Sequence, residues 1–323
     1  MGEKDTRAKE YLADNERFAD LCNYVLFGGE QVISADALEE RDTTEILSTL
    51  GIGEKEVKAQ QKWRDLLKRA IIKYTGEMYV VLIGVENQTD IHYAMPIKNM
   101  LYDAMNYDSQ VREAAVKHRA QSEYGSGAEF LSGFHKEDRL TPVITITLYW
   151  GEDEWDGPRS LHEMFQKYDA RLKPYLPDYR INLLVPREIK DFHSFRTALG
   201  SVLEIIKYSN DNQAMSRLLE NRKRFATMDN ESISVINTFL GTEIPFTESE
   251  GGNDMCKAWE DHKEEGRIEG RIEGRIEGRI EEIYASVRDG DYSLARGAEK
   301  LGISVQELEK RMTEAGYPLP FVM

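Results

Sequence analysis

The sequence predicts a β-hairpin that brings two carboxylate residues and one amide residue together. Apolar and β-branched runs at 65–74 and 77–85 flank a short turn, the usual pattern of two antiparallel strands. A turn centred between these runs places Asp65 opposite Glu86, with Cβ atoms about 4.5–5.5 Å apart. Gln88 lies two residues after Glu86 and therefore shares its face of the strand.

Two carboxylates at this distance repel each other unless a cation or a proton lies between them. Oxygen ligands that leave room for water and phosphate suit Mg²⁺ or Mn²⁺. Such a metal activates water and neutralises charge on a phosphodiester under in-line attack. The alternative is structural: Asp65 caps a turn and Glu86 ends a strand.

The sequence resembles the PD-(D/E)XK nuclease superfamily, and within it the recombination-promoting nuclease (Rpn) and transposase family. The superfamily core is an α-β-β-β-α-β unit with an acid on its second strand and Glu-x-Lys on its third. The resemblance covers most of residues 10–282 and depends on the order and spacing of several segments. These are 15–23, the hairpin with Asp65 and 85–88, 95–102, and 255–259 leading into a Gly-Arg/Glu repeat.

This resemblance implies that Asp65 and Glu86 are metal ligands, with the main-chain carbonyl of Asn87 as a third. Gln88 stands where the superfamily has Lys, and an amide can orient a water molecule but cannot neutralise a phosphate. Lys98 is a candidate for the missing positive charge. The resemblance thus predicts a variant catalytic site made of Asp65, Glu86, Gln88 and Lys98.

Three further residues are accessory candidates. Tyr102 follows Lys98 by one helical turn, and this pair resembles a Gln-x-x-x-Tyr helix motif of some superfamily members; a solvated Lys98 above a core Tyr102 is the alternative. Glu16 and Asp20 share one face of the first helix, so either could reach the metal. An acidic face exposed to solvent is the alternative for both.

The hydrophobic pattern predicts an α/β fold, with a mixed central sheet flanked by helices as in a PD-(D/E)XK restriction-endonuclease-like core. A strand is predicted at 141–150, and its continuous run of apolar and β-branched residues, Val-Ile-Thr-Ile-Thr-Leu at 143–148, indicates burial on both faces. The other predicted elements are a helix at 6–26 stopped by Gly28-Gly29, a short helix and loop at 30–60, helices at 95–107 and 109–124, a loop at 125–133, a strand at 179–185, and helices at 194–208 and 211–225.

The C-terminal region contains four copies of Gly-Arg-Ile-Glu from Gly266 to Glu281. We expect a nuclease-like domain at 1–250, a repeat helix or linker at 251–282, and a small helical hairpin at 283–323. As a helix, the repeat would place an Ile stripe beside a Gly stripe, and it would assemble copies of the chain into a homo-oligomer. The hairpin has helix-turn-helix spacing, and it serves either packing or DNA binding.

The formal charge of −16 at pH 7 resides mainly in the two ends of the chain. Residues 51–259 are close to neutral, so DNA is not excluded as a partner, although binding would depend on the metal. The two cysteines do not form a zinc or disulfide motif. The charged N-terminus predicts no secretory signal, and the chain lacks an apolar run long enough to span a membrane, so we expect a cytoplasmic protein.

These observations favour a Mg²⁺- or Mn²⁺-dependent DNA endonuclease. The resemblance implies a role in recombination, in mobile elements or in defence against foreign DNA. The alternative is a nuclease-fold protein without catalysis that binds DNA or partner subunits as an oligomeric module.

Overall fold

The computed structural model describes residues 2–41, 65–74, 77–123, 125–151, 153–220, 222–225, 228–245 and 255–319. The chain divides into two compact units, Met1–Cys256 and Lys257–Met323. The predicted boundary near residue 250 lies outside the described residues.

A five-stranded mixed sheet forms the centre of the first unit. In the sheet the strands lie in chain order; β1, β2 and β3 are antiparallel neighbours, and β4 and β5 continue parallel to β3. This arrangement confirms the predicted α/β class with a mixed sheet. The strands are β1 (Leu38–Glu40), β2 (Leu66–Tyr74), β3 (Glu77–Gln88), β4 (Val143–Tyr149) and β5 (Asn182–Leu184).

The register of the β2–β3 hairpin agrees with the prediction. Leu66 pairs with Val85 at the open end, and Tyr74 pairs with Glu77 beside the turn. Continuing this ladder by one residue places Asp65 opposite Glu86. The turn residues themselves lie outside the described part of the chain.

Eight α-helices lie wholly within the described part of the first unit. Helix α3 packs against β4, whereas α1 packs against β2 and β3. They are α1 (Glu3–Ala13), α2 (Asn15–Phe27), α3 (Met95–Ala120), α4 (Gly127–Ser132), α5 (Leu199–Tyr208), α6 (Asn212–Leu219), α7 (Arg222–Phe225) and α8 (Asn230–Leu240).

The N-terminal helix is broken in two, so the prediction of one helix at 6–26 was wrong. Asp14 has extended backbone angles, and its carboxylate accepts the N–H of Arg17 at 3.0 Å, which begins α2. Buried Lys68 of β2 holds this corner, because its ammonium group donates to the carbonyl of Ala13 and to Asn15 Oδ1. The predicted stop is confirmed, since α2 ends at Phe27 and Gly28, with φ +62°, caps it.

The segment that follows the hairpin also differs from the prediction. Helix α3 is continuous where we expected two helices; the carboxylate of Asp108, at the expected gap, lies 2.9 Å from Nε of Arg112 one turn later in the same helix. Helix α4 lies in the predicted loop at 125–133, and a capping box between Ser126 and Glu129 begins it. Strand β1 lies in the stretch that we expected to be helix and loop.

A histidine clamp connects the end of α3 to the segment that leads into β4. The rings of His118 and His135 stack with centroids 3.6 Å apart. Nδ1 of His118 lies 2.9 Å from Glu123 Oε2, and Nε2 lies 2.9 Å from Asp138 Oδ2. The hydrogen bond with Glu123, followed by that with Asp138, raises the pKa of His118.

This clamp predicts a pH-dependent contribution to stability. A histidine with a raised folded-state pKa stabilises the protein fully below its unfolded value of about 6.5, and the contribution is lost as the pH rises through the folded-state pKa. We expect His118→Asn to lower the free energy of unfolding at pH 6 and to have a smaller effect at pH 9, measured by urea denaturation. His162→Asn is the control, because that ring contacts the carbonyl of Leu176 and no carboxylate bond is lost. A deficit that is independent of pH would contradict this assignment.

The second unit contains three α-helices: α9 (Met255–Arg288), α10 (Leu294–Leu301) and α11 (Val305–Glu314). The first two residues of α9 belong to the first unit, because the second unit begins at Lys257. Gly297 allows α10 to approach α9 closely, since a Cβ there would lie 2.6 Å from a methyl group of Val287. Buried side chains of all three helices form one core: Ile283, Tyr284, Val287, Ala298, Leu308 and Met312.

The tetrad repeat lies within α9 and is helical. Residues two apart on an α-helix are separated by about 200°, so the isoleucines and glycines lie on opposite faces. The expectation of adjacent Ile and Gly stripes was therefore wrong. In the described ranges, the structure has no helix with the length and apolar character needed to cross a membrane.

Candidate functional site

A cleft of about 320 Å³ opens at the end of the β2–β3 hairpin. The predicted residues Asp65, Glu86, Gln88 and Lys98 all line it, together with Asn87. The structure thus brings together the five principal residues singled out in the sequence. The remaining lining residues are Asp5, Thr89, Asp90, Ile91 and His92.

Glu86 is the most buried carboxylate of the cleft, with 2% of its side chain exposed. Its Oε2 lies 2.9 Å from Nζ of Lys98, which is carried by the first turns of α3. Asn99, the next residue of α3, donates from Nδ2 to Thr147 Oγ1 at 2.8 Å. Because Thr147 neighbours Glu86 in the β3–β4 ladder, this bond fixes α3 at the position where Lys98 reaches Glu86.

Asp65 lies immediately before β2 and is partly buried. Its Oδ2 accepts the backbone N–H of Asn87 at 2.8 Å, which joins the two sides of the hairpin beyond the last ladder pair. Burial raises the pKa of Asp65, and the Asn87 hydrogen bond and the positive charges of Lys9 and Lys98 oppose this shift. The environment therefore disfavours the charged carboxylate as long as no additional cation is near.

Asn87 is held through its side-chain oxygen and its main-chain carbonyl. Its side-chain Oδ1 accepts Nε1–H of Trp150 at 2.8 Å, and both side chains are buried. Its main-chain carbonyl, the predicted third ligand, accepts Nε2–H of Gln88 at 2.8 Å. Gln88 is thus an amide that covers the carbonyl and lines the cleft.

Trp150 was missed in the sequence analysis, although it follows the strand that neighbours β3. We expect Trp150→Phe to lower the free energy of unfolding by about 1–2 kcal/mol, because Asn87 Oδ1 loses its donor in a buried place. Urea denaturation measures this loss. The matched control is the same substitution in an Asn87→Ala background, where the acceptor is already absent and Trp150→Phe is expected to cost less. An unchanged melting curve for Trp150→Phe would contradict a role for the indole in holding Asn87.

The accessory candidates have different places. Tyr102 is buried and its ring centroid lies 5.9 Å from Nζ of Lys98, so it packs in the core while Lys98 lines the cleft. Glu16 is exposed and is not among the cleft-lining residues. Asp20 accepts the backbone N–H groups of Arg196 at 2.9 Å and of Thr197 at 2.8 Å, which directs its carboxylate to the segment before α5.

Two further acids, Asp5 and Asp90, line the cleft and were not singled out. Asp90 could have been found from its position just after Gln88, whereas Asp5 comes from α1 and carries no sequence signal for the cleft. Asp5 Oδ1 accepts the hydroxyl of Thr89 at 3.0 Å. Burial, followed by the charge of Lys98, lowers the pKa of His92, which leaves Lys98 as the main cationic residue of the lining.

The lining therefore contains four carboxylates and one lysine. This balance repels phosphate unless a cation binds. Among the described residues no group of three or more His, Cys, Asp or Glu side chains is arranged to hold a metal. The carboxylates of Asp65 and Glu86 and the main-chain carbonyl of Asn87 nevertheless provide oxygen donors of the kind that suits Mg²⁺. This ion usually keeps several water ligands, so it does not need a full set of protein ligands.

The fold and the cleft define an α/β protein with an acidic cleft at the open end of a β-hairpin. No family model, curated protein or solved structure matches this chain. The functional assignment therefore depends on the chemistry of the cleft and on the order of the elements around it.

Proposed function

We propose that this protein is a metal-dependent DNA endonuclease with a PD-(D/E)XK-like core. The observation that carries the proposal is the convergence of Asp65, Glu86, Gln88 and Lys98 in one acidic cleft. The element order α2, β1, β2, β3, α3, α4, β4 also supports it, because it is the α-β-β-β-α-β order that the resemblance implies with the short helix α4 inserted before β4. Asp65 adjoins the second strand of this unit, and Glu86 and Gln88 end the third.

Asp65, Glu86 and the carbonyl of Asn87 are the groups that would hold Mg²⁺ or Mn²⁺. When bound, the metal would polarise a water molecule and neutralise charge on the phosphodiester. Gln88 can rotate from the Asn87 carbonyl and orient the attacking water through its amide. Lys98 balances the buried charge of Glu86 and can donate to a phosphate oxygen, in place of the Lys that the superfamily has at position 88.

The biological setting is part of the same proposal. By its resemblance, the protein acts in recombination, in mobile elements or in defence against foreign DNA, in the cytoplasm. The scarcity of cations in the cleft supports a dependence of DNA binding on the metal rather than on a basic surface.

Plasmid cleavage tests this function. We expect nicked or linear DNA from supercoiled plasmid with Mg²⁺ or Mn²⁺, and none with EDTA or with Asp65→Ala/Glu86→Ala. The control Asp36→Ala/Glu77→Ala removes two exposed acids from the same sheet region and is expected to cleave normally. Equal cleavage by the cleft variant would contradict the site. Folded wild type that binds DNA without cleaving it would favour the non-catalytic alternative.

A further inference from the structure

The geometry points to a self-association surface on the repeat helix: two copies of this chain pair in parallel through Ile268, Ile272 and Ile276 of α9. Each of these side chains is about half exposed, with 48%, 53% and 54% of its surface accessible. The fourth isoleucine of the repeat, Ile280, instead packs against the core of the second unit. The exposed isoleucines thus form a short apolar stripe (the Ile268–Ile276 stripe) that leads directly into a folded helical core.

The tetrad spacing keeps this stripe on one side of the helix. Four residues turn an α-helix by about 400°, so successive isoleucines are displaced by about 40° and rise by about 6 Å. The three isoleucines therefore span an arc of about 80°, which a single neighbouring helix can cover. Because the spacing exceeds 3.6 residues, the stripe drifts in the right-handed sense, and the two helices would cross with that hand.

The charges on either side of the stripe specify the partner. Within each tetrad, Arg positions lie about 60–100° from Ile on one flank, and Glu positions lie the same distance away on the other. Arg271, Arg275 and Glu277 are exposed there. Each tetrad has equal numbers of both charges, so the surface favours neither DNA nor an anionic membrane. It is complementary to a second copy of itself.

The same flanks also specify the orientation of the pair. In a parallel pair related by a two-fold axis along the helices, the Arg flank of one copy faces the Glu flank of the other on both sides. In an antiparallel pair, Arg faces Arg and Glu faces Glu, which is unfavourable. Within each helix, residues at i and i+4 carry the same charge and repel each other. In a parallel pair, the opposite charges of the partner helix offset this repulsion.

The mass of the full chain in solution tests the pairing. We expect light scattering to show a concentration-dependent dimer, and Ile268→Lys/Ile272→Lys/Ile276→Lys to be monomeric with unchanged helical circular dichroism. Gly274→Ala/Gly278→Ala is the matched control, because it changes the opposite face, where a Cβ meets nothing within 4 Å; this variant is expected to remain dimeric. A monomeric wild type, or a dimer that persists in the Ile variant, would overturn the inference.

Disulfide trapping tests the orientation. In a parallel pair residue 268 of each copy meets residue 268 of the other, so Ile268→Cys alone and Ile276→Cys alone are both expected to form cross-linked dimers on oxidation. An antiparallel pair centred on residue 272 would join 268 only to 276, in mixtures of the two variants. Cross-linking confined to such mixtures would overturn parallel pairing. The native Cys22 and Cys256 are buried and serve as the background in wild type.

A charge exchange tests the flanks independently of the isoleucines. Arg271→Glu/Arg275→Glu places Glu on both flanks and is expected to weaken self-association at least tenfold. Arg271→Lys/Arg275→Lys keeps the charge and is expected to associate as the wild type does. If the two variants associated equally well, the charged flanks would not determine how the helices pair, and this part of the inference would be overturned. These measurements do not involve DNA or metal, so they succeed or fail independently of the proposed nuclease activity.

Discussion

Replacing Lys98 with Met is expected to lower the free energy of unfolding by about 3 kcal/mol, because it leaves a buried carboxylate without its cation. Only 2% of the Glu86 side chain and 23% of the Lys98 side chain are exposed, and the two charged atoms lie 2.9 Å apart. Removing one partner from such a pair costs much more than removing both. Urea denaturation followed by circular dichroism at pH 7 measures the effect.

Two variants make this result specific. Glu86→Gln/Lys98→Met removes both charges and is expected to recover most of the lost stability. Arg69→Met breaks an ion pair of the same length with Glu39, but its side chains are 32% and 59% exposed. This control is expected to cost less than about 1 kcal/mol, since water screens an exposed pair. Similar losses for Lys98→Met and Arg69→Met would show that burial does not determine the strength of the Glu86 pair.

Asp65→Asn is expected to reduce metal-dependent DNA cleavage by about 100- to 1,000-fold, the usual effect of losing one charge-stabilising group at a reacting centre. The amide keeps an oxygen that can accept the Asn87 N–H, so the local fold is retained. Burial raises the pKa of Asp65, which means that the folded protein disfavours its charge at pH 7. Stability is therefore expected to be unchanged or higher in the variant, opposite in direction to activity.

The rate of plasmid nicking and the urea midpoint, measured on the same preparations, separate these two effects. Asp36→Asn, an exposed acid before β1, is the matched control and is expected to leave both quantities unchanged. A parallel loss of stability and activity in Asp65→Asn would indicate a structural carboxylate that merely caps the hairpin. Normal cleavage would remove Asp65 from the proposed site.

The sequence predicted those parts of the fold that depend on local pattern. The hairpin register follows from a short turn between two apolar runs, and it places Asp65 opposite Glu86 as expected. The strand Val143–Tyr149 follows from a continuous run of apolar and β-branched residues, and its burial on both faces is confirmed. In both cases neighbouring residues along the chain carry the information.

Other features depend on contacts between distant segments, and the local sequence pattern does not predict them. The break at Asp14 is held by Lys68 from a strand more than fifty residues later, so helical periodicity alone continued through it. Asp20 looked like a ligand candidate because of its helix face, yet Arg196 and Thr197 use its carboxylate. Lys98 was predicted to join the site, but its ion pair with Glu86 depends on the packing of α3 on β4 and could not be read from the sequence.

The identical tetrads of α9 give the helix a screw symmetry of its own. A slide of about 6 Å combined with a rotation of about 40° brings one tetrad onto the next. A shift of one helix along the other by one tetrad therefore restores the same side-chain pattern and loses only one Ile contact. The repeat by itself does not fix the register of such a pair. The register is instead set at the end of the repeat, where Ile280 packs against the core of the second unit. Tetrads could thus be gained or lost in evolution with the pattern intact and only the length changed.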